Sequence, residues 1–93
     1  MTSIGPRGQA RPADSVHARA FDEELVILDL QGGEYYALDP IGTMLWQGLA
    51  SGQTIEEIAA DVVREFDVTR ERAIADLVAL ADDLLTRGLL VRQ

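Results

Sequence analysis

At Asp39-Pro40 the hydrophobic period of the chain changes, and that step restricts it to a small sheet followed by helices. Upstream, apolar residues come in short runs of branched aliphatics and aromatics separated by turn residues, as strands do. Downstream they recur three and four apart, as amphipathic helices do. The dipeptide itself is a helix start: an Asp N-cap accepts a first-turn amide, and Pro at the first helical position has no amide to leave unpaired.

Three strands are expected before this point. Residues 15–21 alternate weakly, with Val16, Ala18 and Ala20 on one face, and Asp22 and Glu23 form a polar turn. Residues 24–30 are richer in aliphatics, and Gly32-Gly33 supplies the positive φ of a hairpin before residues 34–38 return as a third strand. Three helices are expected after it. Ile41, Met44, Leu45 and Leu49 mark the first, which Ser51-Gly52 ends. Thr54-Ile-Glu-Glu57 is a capping box, and Ile58, Val62 and Phe66 give the second helix its apolar face. Thr69 caps the third and longest, which runs to Arg87 and stops at Gly88, with Leu89-Leu-Val91 returning to the core. The order is βββααα: an α+β, winged helix-turn-helix-like domain with a three-stranded antiparallel meander ahead of three helices. Residues 15–93 form this domain, and residues 1–14, made of Gly, Pro, Arg and small polar residues, are expected to be a flexible tail.

Composition narrows the function classes. The 93 residues contain no Cys and a single histidine, His17, so thiolate chemistry, disulfides and zinc sites built from several Cys or His are excluded. No nucleophile–base–orienter set is visible, so no catalytic residue, metal or cofactor is assigned. Asp82-Asp83 reads as a solvated helix face, because neighbouring helical positions diverge by about 100°. Trp46 reads as core, and no apolar run reaches the roughly 20 residues of a membrane span. With neither a span nor a secretory signal, the cytoplasm is the expected location.

Sixteen acidic residues stand against eight Arg and no Lys, a formal charge of −8. Such a surface repels phosphate backbones and anionic membranes and suits neutral or basic partners.

The stretch Leu28-Asp-Leu-Gln-Gly-Gly-Glu-Tyr-Tyr-Ala-Leu-Asp-Pro-Ile-Gly-Thr-Met-Leu-Trp46, the turn Ala50-Ser-Gly-Gln-Thr54 and the ending Arg87-Gly-Leu-Leu90 resemble the PqqD family. Within it they resemble the stand-alone leader-binding proteins of lasso-peptide clusters. The resemblance implies a non-catalytic domain that binds the leader of a ribosomally synthesised precursor. The leader would add a strand antiparallel to the third strand, in the groove between that strand and the third helix. It also implies two partners, a separate cysteine-protease-type leader peptidase and a cyclase.

The residues support this reading on their own. The first strand carries His17 and Arg19, which discourage edge pairing, whereas Tyr35, Tyr36, Ala37 and Leu38 of the third have no charge between Glu34 and Asp39. An unprotected aromatic edge suits β-augmentation. In the third helix, Ala73, Ile74, Leu77, Val78, Leu80, Ala81, Leu84 and Leu85 span roughly 160°, wider than the usual apolar stripe. The surplus on the border of Ala73, Leu77 and Leu80, beside Arg72 and Asp76, is the expected groove wall. Asp76 meets either the peptide or Arg72 at i,i+4. Neighbouring strand residues point to opposite faces, so one of Tyr35 and Tyr36 packs inward and the other lies outside. The candidate binding residues are thus Glu34, Tyr35, Tyr36, Ala37, Leu38, Arg72, Ala73, Asp76, Leu77 and Leu80.

Two alternatives stand beside it: a winged-helix DNA-binding regulator and a structural adaptor in another complex. A DNA reader would place the third helix in the major groove, yet residues 69–87 carry Glu71, Asp76, Asp82 and Asp83 against Arg70, Arg72 and Arg87. Fluorescence-anisotropy titration with duplex DNA at physiological salt should show negligible binding. A Kd of roughly 10⁻⁴ to 10⁻⁶ M with a steep salt slope would restore the DNA reading.

Overall fold

The structure, a computed structural model, describes residues 3–93 and contains the expected meander and three helices, with one addition. In chain order the elements are β1 (Ala10–Pro12), β2 (Val16–Phe21), β3 (Glu24–Asp29), β4 (Glu34–Leu38), α1 (Pro40–Ala50), α2 (Ile55–Glu65), α3 (Arg70–Thr86) and β5 (Leu90–Arg92). The meander is an antiparallel sheet in the order β2-β3-β4, so β4 is the third strand expected from the sequence. Phe21 pairs with Glu24 across a two-residue turn in which Asp22 takes φ 55°, a left-handed conformation that Asp tolerates. The β3–β4 turn is longer, from Leu30 to Gly33. Only Gly33 of the glycine pair has positive φ (71°), and its amide donates to the Asp29 carbonyl at 2.8 Å.

The helix starts follow their caps. Asp39 accepts from the Gly42 amide, Thr54 and Glu57 form the reciprocal capping box, and Thr69 accepts from the Arg72 amide. Phe66 leaves the second helix as an extended C-cap rather than completing its apolar face, although it still packs against the core. Leu25, Ile27 and Leu38 from the sheet meet Leu45, Trp46 and Leu49 of α1, Ile58 and Val62 of α2, and Leu77 and Leu84 of α3 in one core.

The expectation of a flexible tail over residues 1–14 is corrected for its described part. Ala10, Arg11 and Pro12 pair antiparallel with Arg92, Val91 and Leu90, forming a second, two-stranded sheet. Ile4 is 1% exposed and Ala10 0%. Asp82 accepts from the Ile4 amide at 2.8 Å and from the Ser3 hydroxyl, and the Pro6 carbonyl accepts the Glu56 amide, an orphan of the first turn of α2. Met1 and Thr2 lie outside the described residues. The segment escaped the sequence reading because its partner strand lies about eighty residues away and its one large apolar anchor, Ile4, stands among Gly and Pro.

These bonds hold the Asp82 carboxyl below the usual carboxylate range. The Ser3 hydroxyl is the larger cause and the Ile4 amide the second. A carboxyl depressed on folding contributes stability that is present above its unfolded pKa and is lost as pH falls through the folded one. The strap formed by residues 3–12 should therefore loosen only below about pH 4, and Asp82→Asn should remove that pH step. Ile4→Ala should cost about 2–4 kcal/mol in urea unfolding, as for other large core truncations. A loss under about 0.5 kcal/mol would mean that the segment is not part of the folded unit.

Candidate functional site

The backbone bonds decide which edge of the sheet is open. The Leu30 amide donates to Ser15 on the β2 side, and the Asp29 carbonyl accepts from Gly33 on the β4 side. Backbone groups alternate along a strand, so Leu25, Ile27 and Asp29 turn theirs toward β4 and bond with their register partners Leu38, Tyr36 and Glu34. The N–H and C=O groups of Tyr35 and Ala37 therefore lie on the outer edge, where no strand follows. A peptide strand placed there would meet a ready ladder.

Side chains alternate as well. Tyr36 and Leu38 share the face of Ile27 and Leu25 and point toward the helices, Tyr36 half-buried and Leu38 7% exposed. Tyr35 (74% exposed) and Ala37 lie on the other face with Leu28, Val26 and Phe21. The division expected of the two tyrosines thus resolves with Tyr36 inward. Its hydroxyl donates to Glu34 Oε2 at 3.2 Å.

The border of α3 that faces β4 is set by two contacts. An ideal Cβ built on Gly42 would lie 3.2 Å from Leu38 Cβ and 3.3 Å from Leu80 Cδ2, so the absence of a side chain there lets Leu80 approach the end of β4. One end further along α3, the Arg87 guanidinium carbon lies 5.3 Å from the Tyr36 ring centroid. Arg87 Nε also donates to Asp83 Oδ2 at 3.0 Å. These bonds, to Asp83 first and Tyr36 second, raise the Arg87 pKa further. Leu80, Asp83 and Arg87 recur at intervals of three and four and form one stripe.

The expected groove wall is corrected in part. Leu80 is half-buried and faces β4, but Ala73 and Leu77 are 4% and 1% exposed and belong to the core. Their part of the wide apolar arc is used against α2 and α1 rather than left open. Arg72 and Asp76 are exposed and pair with each other at 3.2 Å, the intramolecular alternative weighed for Asp76. The sequence reading missed Asp83 and Arg87, having placed Asp83 on a solvated face. The available signal was their spacing from Leu80 on the same helical stripe. Trp46 is 3% exposed and lies in the core, as expected. Among the described residues no helix is long and apolar enough to cross a membrane.

Comparison with known proteins places this geometry. Residues 24–90 match the family of coenzyme PQQ synthesis protein D, PqqD. The chain belongs to the PqqD family. Two solved structures resemble this PqqD-family chain over nearly their whole lengths. TbiB1 in complex with the TbiA(beta) leader peptide is 34% identical, with a TM-score of 0.79 over 86% of this chain and 93% of that one. Lasso peptide synthetase B1 complexed with its leader peptide is 26% identical, with a TM-score of 0.82 over 89% of this chain and 98% of that one. No curated protein matches significantly. The family match begins at Glu24 and so leaves out β1, β2 and the strap.

Proposed function

We propose that this PqqD-family protein is a non-catalytic recognition element of lasso-peptide biosynthesis that binds the leader of a ribosomally synthesised precursor. The leader adds as a strand antiparallel to β4, and its inward side chains enter the groove between β4 and α3. The observation that carries this reading is the open ladder of Tyr35 and Ala37 on an edge whose inner face is flanked by Leu80 and Arg87. The two leader-peptide complexes that resemble the chain support the same occupant. Glu34, Tyr35, Tyr36, Ala37 and Leu80 are the contact residues this pose favours. Arg72 and Asp76 stand further along α3 as a paired rim, and Leu38, Ala73 and Leu77 support the groove from beneath.

The bound leader is passed, on this reading, to a separate cysteine-protease-type leader peptidase and then to a cyclase, all in the cytoplasm. The outer sheet face has the character such a partner requires. Phe21 (54% exposed), Leu28 (39%) and Tyr35 (74%) share it with the polar His17, Arg19 and Glu24, and Leu30 (64%) stands at the adjoining turn; exposed apolar residues rimmed by polar ones suit protein contact.

Strand addition is checked by hydrogen exchange with the TbiA(beta) leader peptide and, in parallel, a synthetic leader from a precursor gene neighbouring this one. Amides of Tyr35 and Ala37 should gain protection on binding. Protection confined to β2 would move the site to the opposite edge. Because the Ala37 amide faces outward, Ala37→Pro should leave the meander paired, keep the thermal transition close to that of the parent, and weaken leader binding by at least about tenfold.

Leu80 offers an independent check on the groove. Packing one apolar leader side chain on it is worth on the order of 2 kcal/mol, so Leu80→Glu should lower affinity by at least about tenfold. A melting curve run alongside separates loss of the groove from loss of the fold. A folded Leu80→Glu variant of unchanged affinity would place the peptide on the other border of α3, near Val78 and Leu85.

A further inference from the structure

Three of the chain's Arg residues make carboxylate pairs within α2 or α3, and one of the three also reaches another element. Arg64 pairs with Asp61 and Arg72 with Asp76, each along the exposed surface of its own helix. Arg87 pairs with Asp83 and also crosses from the end of α3 to the Tyr36 ring of the edge strand. Asp83 engages Arg87 through Nε, the inner nitrogen of the fork. The side chain is still 47% exposed, and no second carboxylate pairs with it among the described residues. A guanidinium tethered at Nε by Asp83 and held at Tyr36 is fixed in orientation, and its exposed part can donate to a further anion. Arg87 is thus the cation of this end of the groove, with Asp83 at its Nε and Glu34 on the Tyr36 hydroxyl.

We infer that Arg87 is a specificity-determining residue that binds a carboxylate side chain of the leader, two residues toward the leader's C-terminus from the apolar side chain that packs on Leu80. The inference rests on the strand-addition reading above. Its geometry follows from the register. Tyr36 and Leu38 turn their backbone groups to β3, so each sits opposite an added strand in a non-hydrogen-bonded position, where facing side chains are closest, with Cβ atoms about 4.5–5.5 Å apart. In an antiparallel strand the leader residue opposite Leu38 precedes the one opposite Tyr36 by two positions, and both point to the same face. The first meets Leu80, which approaches Leu38 across Gly42. The second lies beside the Tyr36 ring and under the guanidinium stacked on it. An Asp or Glu there accepts from the exposed part of the guanidinium. A Lys or Arg would face a like charge.

The test is a double-mutant cycle read by isothermal titration, with the TbiA(beta) leader peptide and the synthetic leader of the neighbouring precursor gene as probes. Each Asp and Glu of the peptide is replaced in turn by Asn or Gln and titrated into the wild-type protein and Arg87→Gln. Arg87→Gln should weaken binding of the parent peptide about two- to fivefold, as expected for a partly exposed charged pair. One peptide carboxylate, and only one, should show the same loss on wild type and almost none on Arg87→Gln. Arg87→Lys should recover part of the affinity, and the salt dependence of binding should be shallower in Arg87→Gln. A role limited to holding α3 against β4 would weaken every peptide equally and leave no coupling, and that outcome overturns the assignment. A parent peptide whose affinity is unchanged by Arg87→Gln overturns it as well, while leaving leader binding intact. A wild-type protein that binds neither leader overturns the leader-binding reading and this inference together.

Discussion

The carboxylate of Asp39 accepts the Gly42 amide at 2.7 Å, and the Leu38 carbonyl accepts from the Thr43 hydroxyl at 3.4 Å. Between them these bonds join the last residue of the edge strand to the first turn of α1 with no intervening loop. The groove depends on this junction. It places Gly42 beside Leu38, and the missing Cβ there admits Leu80 of α3 to the end of β4. A longer connection would let α1 swing away from the strand, and a side chain at position 42 would crowd Leu38 and Leu80, which would have to give by a few tenths of an ångström. The position of Leu80 beside β4 thus depends on a cap and a glycine.

The same junction explains why β4 remains an edge. The chain leaves β4 directly into a helix, and the strand that follows the helices, β5, pairs with β1, so among the described residues no strand lies beside Tyr35 and Ala37. At the opposite edge β2 is guarded differently. His17 and Arg19 stand on its outer face, and the Val16 amide is engaged by the Ala13 carbonyl at 3.3 Å. The asymmetry between the two edges leaves β4 as the unguarded one.

Most of the fold was legible because it is written in local signals. Asp39-Pro40, Thr54 with Glu57, and Thr69 each act within four residues, and the structure puts a helix N-terminus at each. The Tyr35–Tyr36 alternation is likewise a property of strand geometry. Nonlocal pairings left weaker marks. Nothing in Ala10-Arg11-Pro12 announces a partner at Leu90-Val91-Arg92, and a segment of Gly, Pro and Arg has the composition of a linker. The groove was half legible for a related reason. The arc of apolar residues on α3 is wide because the helix packs on α1, α2 and the strap, so width alone could not separate Ala73 and Leu77, which are buried, from Leu80, which faces β4. The polar members of the useful stripe, Asp83 and Arg87, carried no hydrophobic signal at all.

Asp82 and Asp83 show how one helix serves both sides of the domain. Their side chains leave α3 about 100° apart. Asp82 turns to the N-terminal strap, where it takes the Ser3 hydroxyl and the Ile4 amide and so seats Ile4 in the core. Asp83 turns to the groove and tethers Arg87 over Tyr36. A domain of this length buries too little surface to spare an open edge unless it is closed elsewhere. The strap supplies that closure: it covers apolar surface with Ile4 and Ala10, caps an amide of α2 through Pro6, and gives β5 a pairing partner. With the helices sealed on that side, α3 can hold a fixed position against β4, its facing stripe meeting Tyr36 through Arg87 and Gly42 through Leu80. The fixed position of α3 on the side of β4 is therefore built from the contacts on its other side.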